Sequence, residues 1–424
     1  MRKLFLPAMI FAVALGSCSK NEPNVGDNSD AASDGSLVAI NVYAGTTRAT
    51  DTTTESLETS AWVELHIDDS ADISETFKFV YDGSDWSQES TDPILWSDIT
   101  FPANFYSMHD GVPFESLTYN DDSATYSGYT VTGTSVEHAD LVFHASKLTT
   151  APSSRVVSAA HTHALSKINL YAATGTTNVY IAKVQMVSID GKGDVTITPL
   201  SADALSTDTG AEWINSGTEF EDYQYYFIGD NSPVALNSTL NGSNPIINSA
   251  DNAPLMIIPQ ETTAATIKED TDGLDATVSD SYIEVIYYMT DANGSPVVGY
   301  SSVSELSNAS DYIDEDQTTT LYVKAGFPLG YEFMVNKEYD ITLGLGVAGS
   351  TGGVLLADYY VDKNGDAVKL TKVDDDGDGD DEDEEIVEVP EIDEGDDILA
   401  GDDEVDILVS ANTWDDGGSV TVEM

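Results

Sequence analysis

The chain has a single cysteine, Cys18, and only 16 Lys plus Arg against 75 Asp plus Glu. One thiol cannot form an internal disulfide or a multi-thiolate metal site. At a net charge of −59 there is no basic face to meet a phosphate backbone, which excludes a nucleic-acid binder. Arginine occurs only at Arg2, Arg48 and Arg155. Helical 3.6-residue periodicity is weak, and past the N-terminus no stretch approaches the ~20 apolar residues that span a bilayer. The chain also lacks G-x-S-x-G, G-x-x-x-x-G-K-[ST] and H-E-x-x-H patterns. No carboxylate pair stands out from 75 acids as a glycoside-cleaving pair. Nothing here argues for an enzyme, and no cofactor is expected.

What is present points to strands. The 424 residues allow two or three domains, each with its own core, and 41% hydrophobic residues exclude a wholly disordered chain. Tyr, Val, Thr, Gly and Ser are plentiful, which favours strands and turns over helices. Short alternating runs recur between Gly, Asn, Asp and Ser clusters. Val38, Ile40 and Val42 share one face of the first; others fall at 62–67, 77–81, 168–171, 179–189, 195–198, 255–258, 283–289, 321–324 and 339–345. This pattern predicts an all-β chain of antiparallel β-sandwiches. A loose Gly/Ser/Asn-rich stretch from Ser201 to Gly217 is the expected boundary between two of them.

The cysteine is explained by its position. Arg2 and Lys3 form a positive start, Leu4 to Leu15 an apolar core, and Leu15-Gly16-Ser17-Cys18 a lipobox. Residues 1–17 are therefore expected to be a lipoprotein signal peptide, with an acyl lipid on Cys18 anchoring the precursor. Ser19 to Ser36 has almost nothing to bury and reads as a tether. Near the other end, 20 of the 33 residues from Asp374 to Asp406 are acidic and none is basic, so mutual repulsion predicts a solvated, extended stretch. Two strand-like pieces follow: Val405, Ile407 and Val409 on one face, then Val420, Val422 and Met424.

Several segments then occur in a telling order. Gly45-Thr46-Thr47-Arg48-Ala49-Thr50-Asp51 follows the first strand; Trp96, Phe101-Pro102 and Phe105-Tyr106 come next. After them stand Asp140-Leu141-Val142, His163-Ala164-Leu165-Ser166-Lys167-Ile168, Leu255-Met256-Ile257-Ile258-Pro259-Gln260 and Asn336-Lys337-Glu338-Tyr339-Asp340-Ile341. With the lipobox, this set resembles the fimbrillins of Bacteroidota, subunits of type V pili, over most of the chain. The resemblance implies two tandem transthyretin-like β-sandwich domains and an assembly mechanism. An Arg-specific protease would cut between Arg48 and Ala49, removing 18–48 with the first strand. A neighbouring subunit would then fill the vacated groove. The implied plan is an N-terminal sandwich at 49–210 and a C-terminal one at 211–424. The acidic insertion 374–404, which departs from the family pattern, lies in the second, with donor-strand candidates at 405–410 and 419–424. Partners would be other fimbrial subunits and host or bacterial surface ligands, first at the outer membrane and then in a surface fimbrium.

Elementary physics supports the same picture. Arg48 sits in a polar run without an apolar face, the kind of loop that proteases nick. Val38, Ile40 and Val42 would each contribute about 1.5–3 kcal/mol when fully buried, so their removal would leave an apolar groove with open edges. Val405, Ile407 and Val409 have the period to refill it by β-strand addition, repeated head to tail into a fibre. Which C-terminal piece donates is left open by the sequence. A different reading is a monomeric outer-membrane lipoprotein that binds glycans through exposed aromatics.

Three segments carry residue types that metals use. Asp374, Asp376, Asp378, Gly379, Asp380, Glu382 and Glu385 fit an EF-hand template, but any dense acidic run does, and Asp381 stands where an apolar residue belongs. Asp362-Lys363-Asn364-Gly365-Asp366 has its Gly misplaced for that loop and reads as a hairpin turn. His161 and His163 would share one side of a strand, without a convincing third ligand. No metal site is expected.

Overall fold

The computed structural model describes residues 36–44, 62–71, 73–90, 92–109, 115–120, 122–131, 140–175, 177–200, 210–215, 227–228, 233–234, 244–246, 255–265, 280–306, 309–313, 320–345, 353–357, 359–372, 386–388, 407–413 and 419–423. The chain is all-β. The first nine strands are β1 (Ala39–Ala44), β2 (Trp62–Asp69), β3 (Ser74–Tyr81), β4 (Trp86–Gln88), β5 (Ala103–His109), β6 (Ser116–Asn120), β7 (Ser123–Thr130), β8 (Val142–Leu148) and β9 (Val156–His163). Then come β10 (Ser166–Ala173), β11 (Asn178–Val187), β12 (Lys192–Ile197), β13 (Ala211–Asn215), β14 (Phe227–Ile228), β15 (Pro233–Val234), β16 (Asn244–Pro245), β17 (Leu255–Ile257) and β18 (Gln260–Glu261). The rest are β19 (Tyr282–Thr290), β20 (Pro296–Val298), β21 (Tyr312–Ile313), β22 (Val323–Pro328), β23 (Glu332–Phe333), β24 (Lys337–Gly344), β25 (Val354–Leu355), β26 (Lys369–Lys372), β27 (Ile386–Glu388), β28 (Ile407–Thr413) and β29 (Ser419–Glu423).

Four larger sheets build two layered units. In the first, one face of β1-β9-β8-β5-β2-β3-β4 gathers around Ile94, Trp96 and Ile99, because alternation along β2 and β3 turns Val63, Leu65, Ile67, Phe77 and Phe79 inward. Its opposite face is covered by β13-β12-β7-β6, where Tyr106 and Phe143 meet Tyr126, Val195 and Ile197. In the second unit, β16-β10-β24-β28-β29 faces β14-β11-β19-β22-β25. Ile168, Leu170, Tyr339 and Ile341 pack there on Ile181, Val184, Ile283, Val285, Tyr287 and Phe327. Every residue of β19 is buried, so both faces of that strand are covered and it is apolar throughout except for Glu284 and Thr290.

Between the described strands the pairings are antiparallel except that β1 runs parallel to β9, and β10 parallel to β24. Parallel neighbours need a long connection, and these partners lie more than a hundred residues apart in the chain. The pairings also bear on where one unit ends. β10 and β11 precede residue 201 yet belong to the second unit, whereas β12 and β13, on either side of 201–209, ladder with β7 in the first. Thr198 N donates to Gly210 O at 2.7 Å, at the end of the β12–β13 ladder.

Candidate functional site

The described residues that bear most directly on assembly are those around β1. Val38-Ala39-Ile40-Asn41-Val42 alternates β-branched with small or polar residues, the pattern of a strand with one buried face. Val38, Ile40 and Val42 are 2%, 4% and 1% exposed and join the core made by Val63, Leu65, Phe79, Trp86, Ile94 and Trp96. Leu37, of the other parity, is 52% exposed.

Two walls hold this strand. On one side its register with β9 runs from Ala39↔Val156 to Ala44↔His161, six consecutive pairs. On the other side, Val38 N donates to Ile94 O (3.1 Å) and Trp96 N donates to Ser36 O (2.9 Å). Gln88, at the end of β4, locks this second wall: its Nε2 donates to Val38 O (2.7 Å) and Ile94 O (3.1 Å), and its Oε1 accepts from Ile94 N (2.9 Å). The Trp96 indole donates to Arg155 O at 2.9 Å and so ties the two walls together. Arg155 itself closes the β8–β9 turn at φ 57°, a left-handed conformation.

β9 depends on β1 in turn. The β8–β9 ladder covers only Val142↔His163 and Phe143↔Thr162, while the six residues before them are laddered to β1. Across that gap His144 Nδ1 lies 3.1 Å from Ala160 O and donates to it, so its Nε2 accepts from the Ser146 hydroxyl at 3.0 Å. Burial pushes the His144 imidazole down to about 4, against a smaller opposing effect of the Ala160 bond. His66, also desolvated, is likewise lowered to about 4.

The other residues singled out from sequence are distributed as follows. His161 and His163 do share one face of β9, but His161 Nε2 meets the Ser107 hydroxyl at 3.0 Å and His163 Nδ1 meets the Asp140 carboxylate at 2.9 Å. Among the described residues no group of three or more His, Cys, Asp and Glu is placed to hold a metal. The segment 362–366 is a turn: Gly365 N donates to Asp362 O, and Asp362 N to Asp366 O. Ile407 and Val409 lie in β28, paired antiparallel with Leu343 and Ile341 of β24, and β29 pairs with β28 in turn. Cys18, Arg48, Ala49, Val405 and the acidic run 374–385 lie outside the described residues.

Segments far apart in the chain meet here. Ser166, Lys167 and Ile168 of β10 have Lys337, Glu338 and Tyr339 of β24 on one side and Ile257, Met256 and Leu255 of β17 on the other. Lys167, 1% exposed, approaches Glu338 at 3.6 Å, and Asn169 Nδ2 donates to both Glu338 (2.8 Å) and Asp340 (2.7 Å). Sequence reasoning did not find Gln88, whose only local signal is a place at the end of a three-residue strand.

No family model matches the chain, and no curated protein matches it. Among solved structures it is similar to a candidate cell adhesion protein from Bacteroides ovatus, at 11% identity over 80% of this chain and 97% of that one, with a TM-score of 0.31. It is also similar to candidate cell adhesion proteins from Bacteroides eggerthii (10% identity, 74% and 88% covered, TM-score 0.32) and Parabacteroides distasonis (11%, 73% and 88%, 0.32).

Proposed function

We propose that the chain is a structural subunit of a cell-surface fimbrium that supports adhesion. It would be exported as a lipoprotein on Cys18, cut after Arg48 and polymerised by exchange of β-strands between subunits. One observation carries this reading: β1, whose Val38, Ile40 and Val42 are buried in the first core, ends at Ala44, four residues before Arg48. Scission after Arg48 would therefore detach from the chain a strand that the first core needs. Its loss would uncover the groove between β9 and the 94–96 segment, with unpaired backbone on both edges. Three buried β-branched side chains, at about 1.5–3 kcal/mol each, supply the driving force for a replacement. The partners are further subunits, an Arg-specific protease, the lipid on Cys18 and surface ligands of host or bacterium.

The test is treatment of pure precursor with an Arg-specific protease, followed by electrophoresis without heating. A ladder of SDS-resistant oligomers, with Ala49 as the new N-terminus, is expected. A cleanly trimmed monomer at high concentration would overturn the assembly reading and favour the glycan-binding lipoprotein instead.

A further inference from the structure

We infer that the donor strand is 405–411, that it enters the slot in the register Val405 at the place of Val38, and that the acceptor is a second copy of this chain. This rests on the strand-exchange reading and specifies its partner. The observation is a repeat. Residues 38–44 are Val-Ala-Ile-Asn-Val-Tyr-Ala and residues 405–411 are Val-Asp-Ile-Leu-Val-Ser-Ala. The four positions of one parity are identical (Val38/Val405, Ile40/Ile407, Val42/Val409, Ala44/Ala411), while the three of the other parity all differ. No other seven-residue stretch of the chain has Val-x-Ile-x-Val-x-Ala.

That division follows the geometry of the slot. Val38, Ile40 and Val42 point into a closed core, where even one methylene of excess or deficit is felt. Ala39 and Asn41 are only half-buried, so Asp406 and Leu408 can replace them without filling or opening a cavity. The Val-x-Ile-x-Val part reads alike in both directions, and it is the fourth identity, Ala44/Ala411, that sets the match in the direction of β1, parallel to β9. The competing piece, Ser419-Val420-Thr421-Val422-Glu423-Met424, does not offer the isoleucine.

Hydrogen bonding by itself does not favour the exchange. In the unassembled chain β28 is laddered to β24 from Ile407↔Leu343 to Thr413↔Lys337, seven pairs, and to β29 by five more. The slot offers six pairs with β9 and two backbone bonds to the 94–96 segment. More ladder is lost than gained, so the fit of the inward side chains has to drive the outcome.

Register and partner can be read together by disulfide trapping in a Cys18→Ser background. Asn41 pairs with Ser158 in β9, and Ser158 is exposed, so Leu408 of an incoming strand would stand beside it. One preparation of precursor carries Ser158→Cys and a second carries Leu408→Cys; they are mixed, cut with the Arg-specific protease and oxidised. An intermolecular disulfide between these positions is expected, and much less with Asp406→Cys or Ser410→Cys, one turn of the pleat away. In parallel, a synthetic 403–413 peptide should displace the cut N-terminal fragment from nicked precursor, on the order of 100-fold better than the same peptide with Ile407→Asp. Trapping through Thr421→Cys instead, or displacement by a 418–424 peptide alone, would overturn this inference and leave strand exchange standing. Nicked protein that neither crosslinks nor takes up either peptide would overturn both.

Discussion

The Gln88 carboxamide reaches Val38 O, Ile94 O and Ile94 N, three backbone groups that lie between β1 and the wall beside it. A leucine of similar volume would fill the same space and satisfy none of them. Gln88→Leu is expected to destabilise the first unit by about 1–3 kcal/mol, because a half-buried carbonyl and amide lose their partner without gaining water. Urea unfolding followed by tryptophan fluorescence, to which Trp62, Trp86 and Trp96 of the first unit contribute, measures it; an unchanged midpoint would mean that the amide is solvated in solution. A second residue-scale expectation comes from His144. Its imidazole titrates at about 4 in the fold because burial disfavours the charged ring, against 6.5 for the ordinary group. Above about pH 6.5 the folded and unfolded chains both hold it neutral, and it costs nothing. Between there and about 4 the unfolded chain takes up the proton and the folded chain does not, so stability falls as the pH drops through that window. His66, lowered for the same reason, adds to the slope. His144→Gln should flatten the fall in melting temperature between pH 6.5 and 4, and a slope as steep as before would show that the ring is not the group responsible.

At the scale of elements, the parallel pair β10–β24 carries a buried charge that hydrophobic patterning does not require. Lys167 lies 3.6 Å from Glu338, and Asn169 donates to the same carboxylate. Lys167→Met removes one charge and strands the other, which costs about 3–5 kcal/mol in such settings. Adding Glu338→Gln should restore most of the loss, since the amide needs no counter-charge; a double variant no better than the single one would refute the pairing. Elements also show where the sequence is readable. Alternation at Val38, Ile40 and Val42, at 62–67 and at 77–81 reveals strands because a half-buried strand writes its period into the chain. Partner choice leaves no such mark. That β1 lies beside β9 and β10 beside β24 depends on contacts across more than a hundred residues. Gln88 is silent for the same reason: its role depends on Ile94 and Val38 arriving nearby.

For the whole molecule, charge sets the conditions of association. Residues 1–48 contain four basic and four acidic side chains, so cutting after Arg48 leaves the remaining chain at −59. Two such subunits repel, and the acidic stretch that precedes β28 brings the greatest density of that charge next to the proposed donor strand. At 0.01 M ionic strength the screening length is about 30 Å, comparable with a domain, whereas at 0.15 M it is about 8 Å. The encounter of cut subunits should therefore be slow in dilute buffer and accelerate steeply with salt. The finished contact, built from apolar side chains in a closed slot and from backbone bonds, should hardly respond to salt once made. Light scattering after cleavage, from 10 to 200 mM sodium chloride, measures the first; SDS resistance of polymer transferred back to low salt measures the second. Assembly that is equally fast at both ends of the range would mean that the negative charge faces away from the approach. Polymer that falls apart on return to low salt would mean that the contact is electrostatic, and the slot around β1 would not be what joins the subunits.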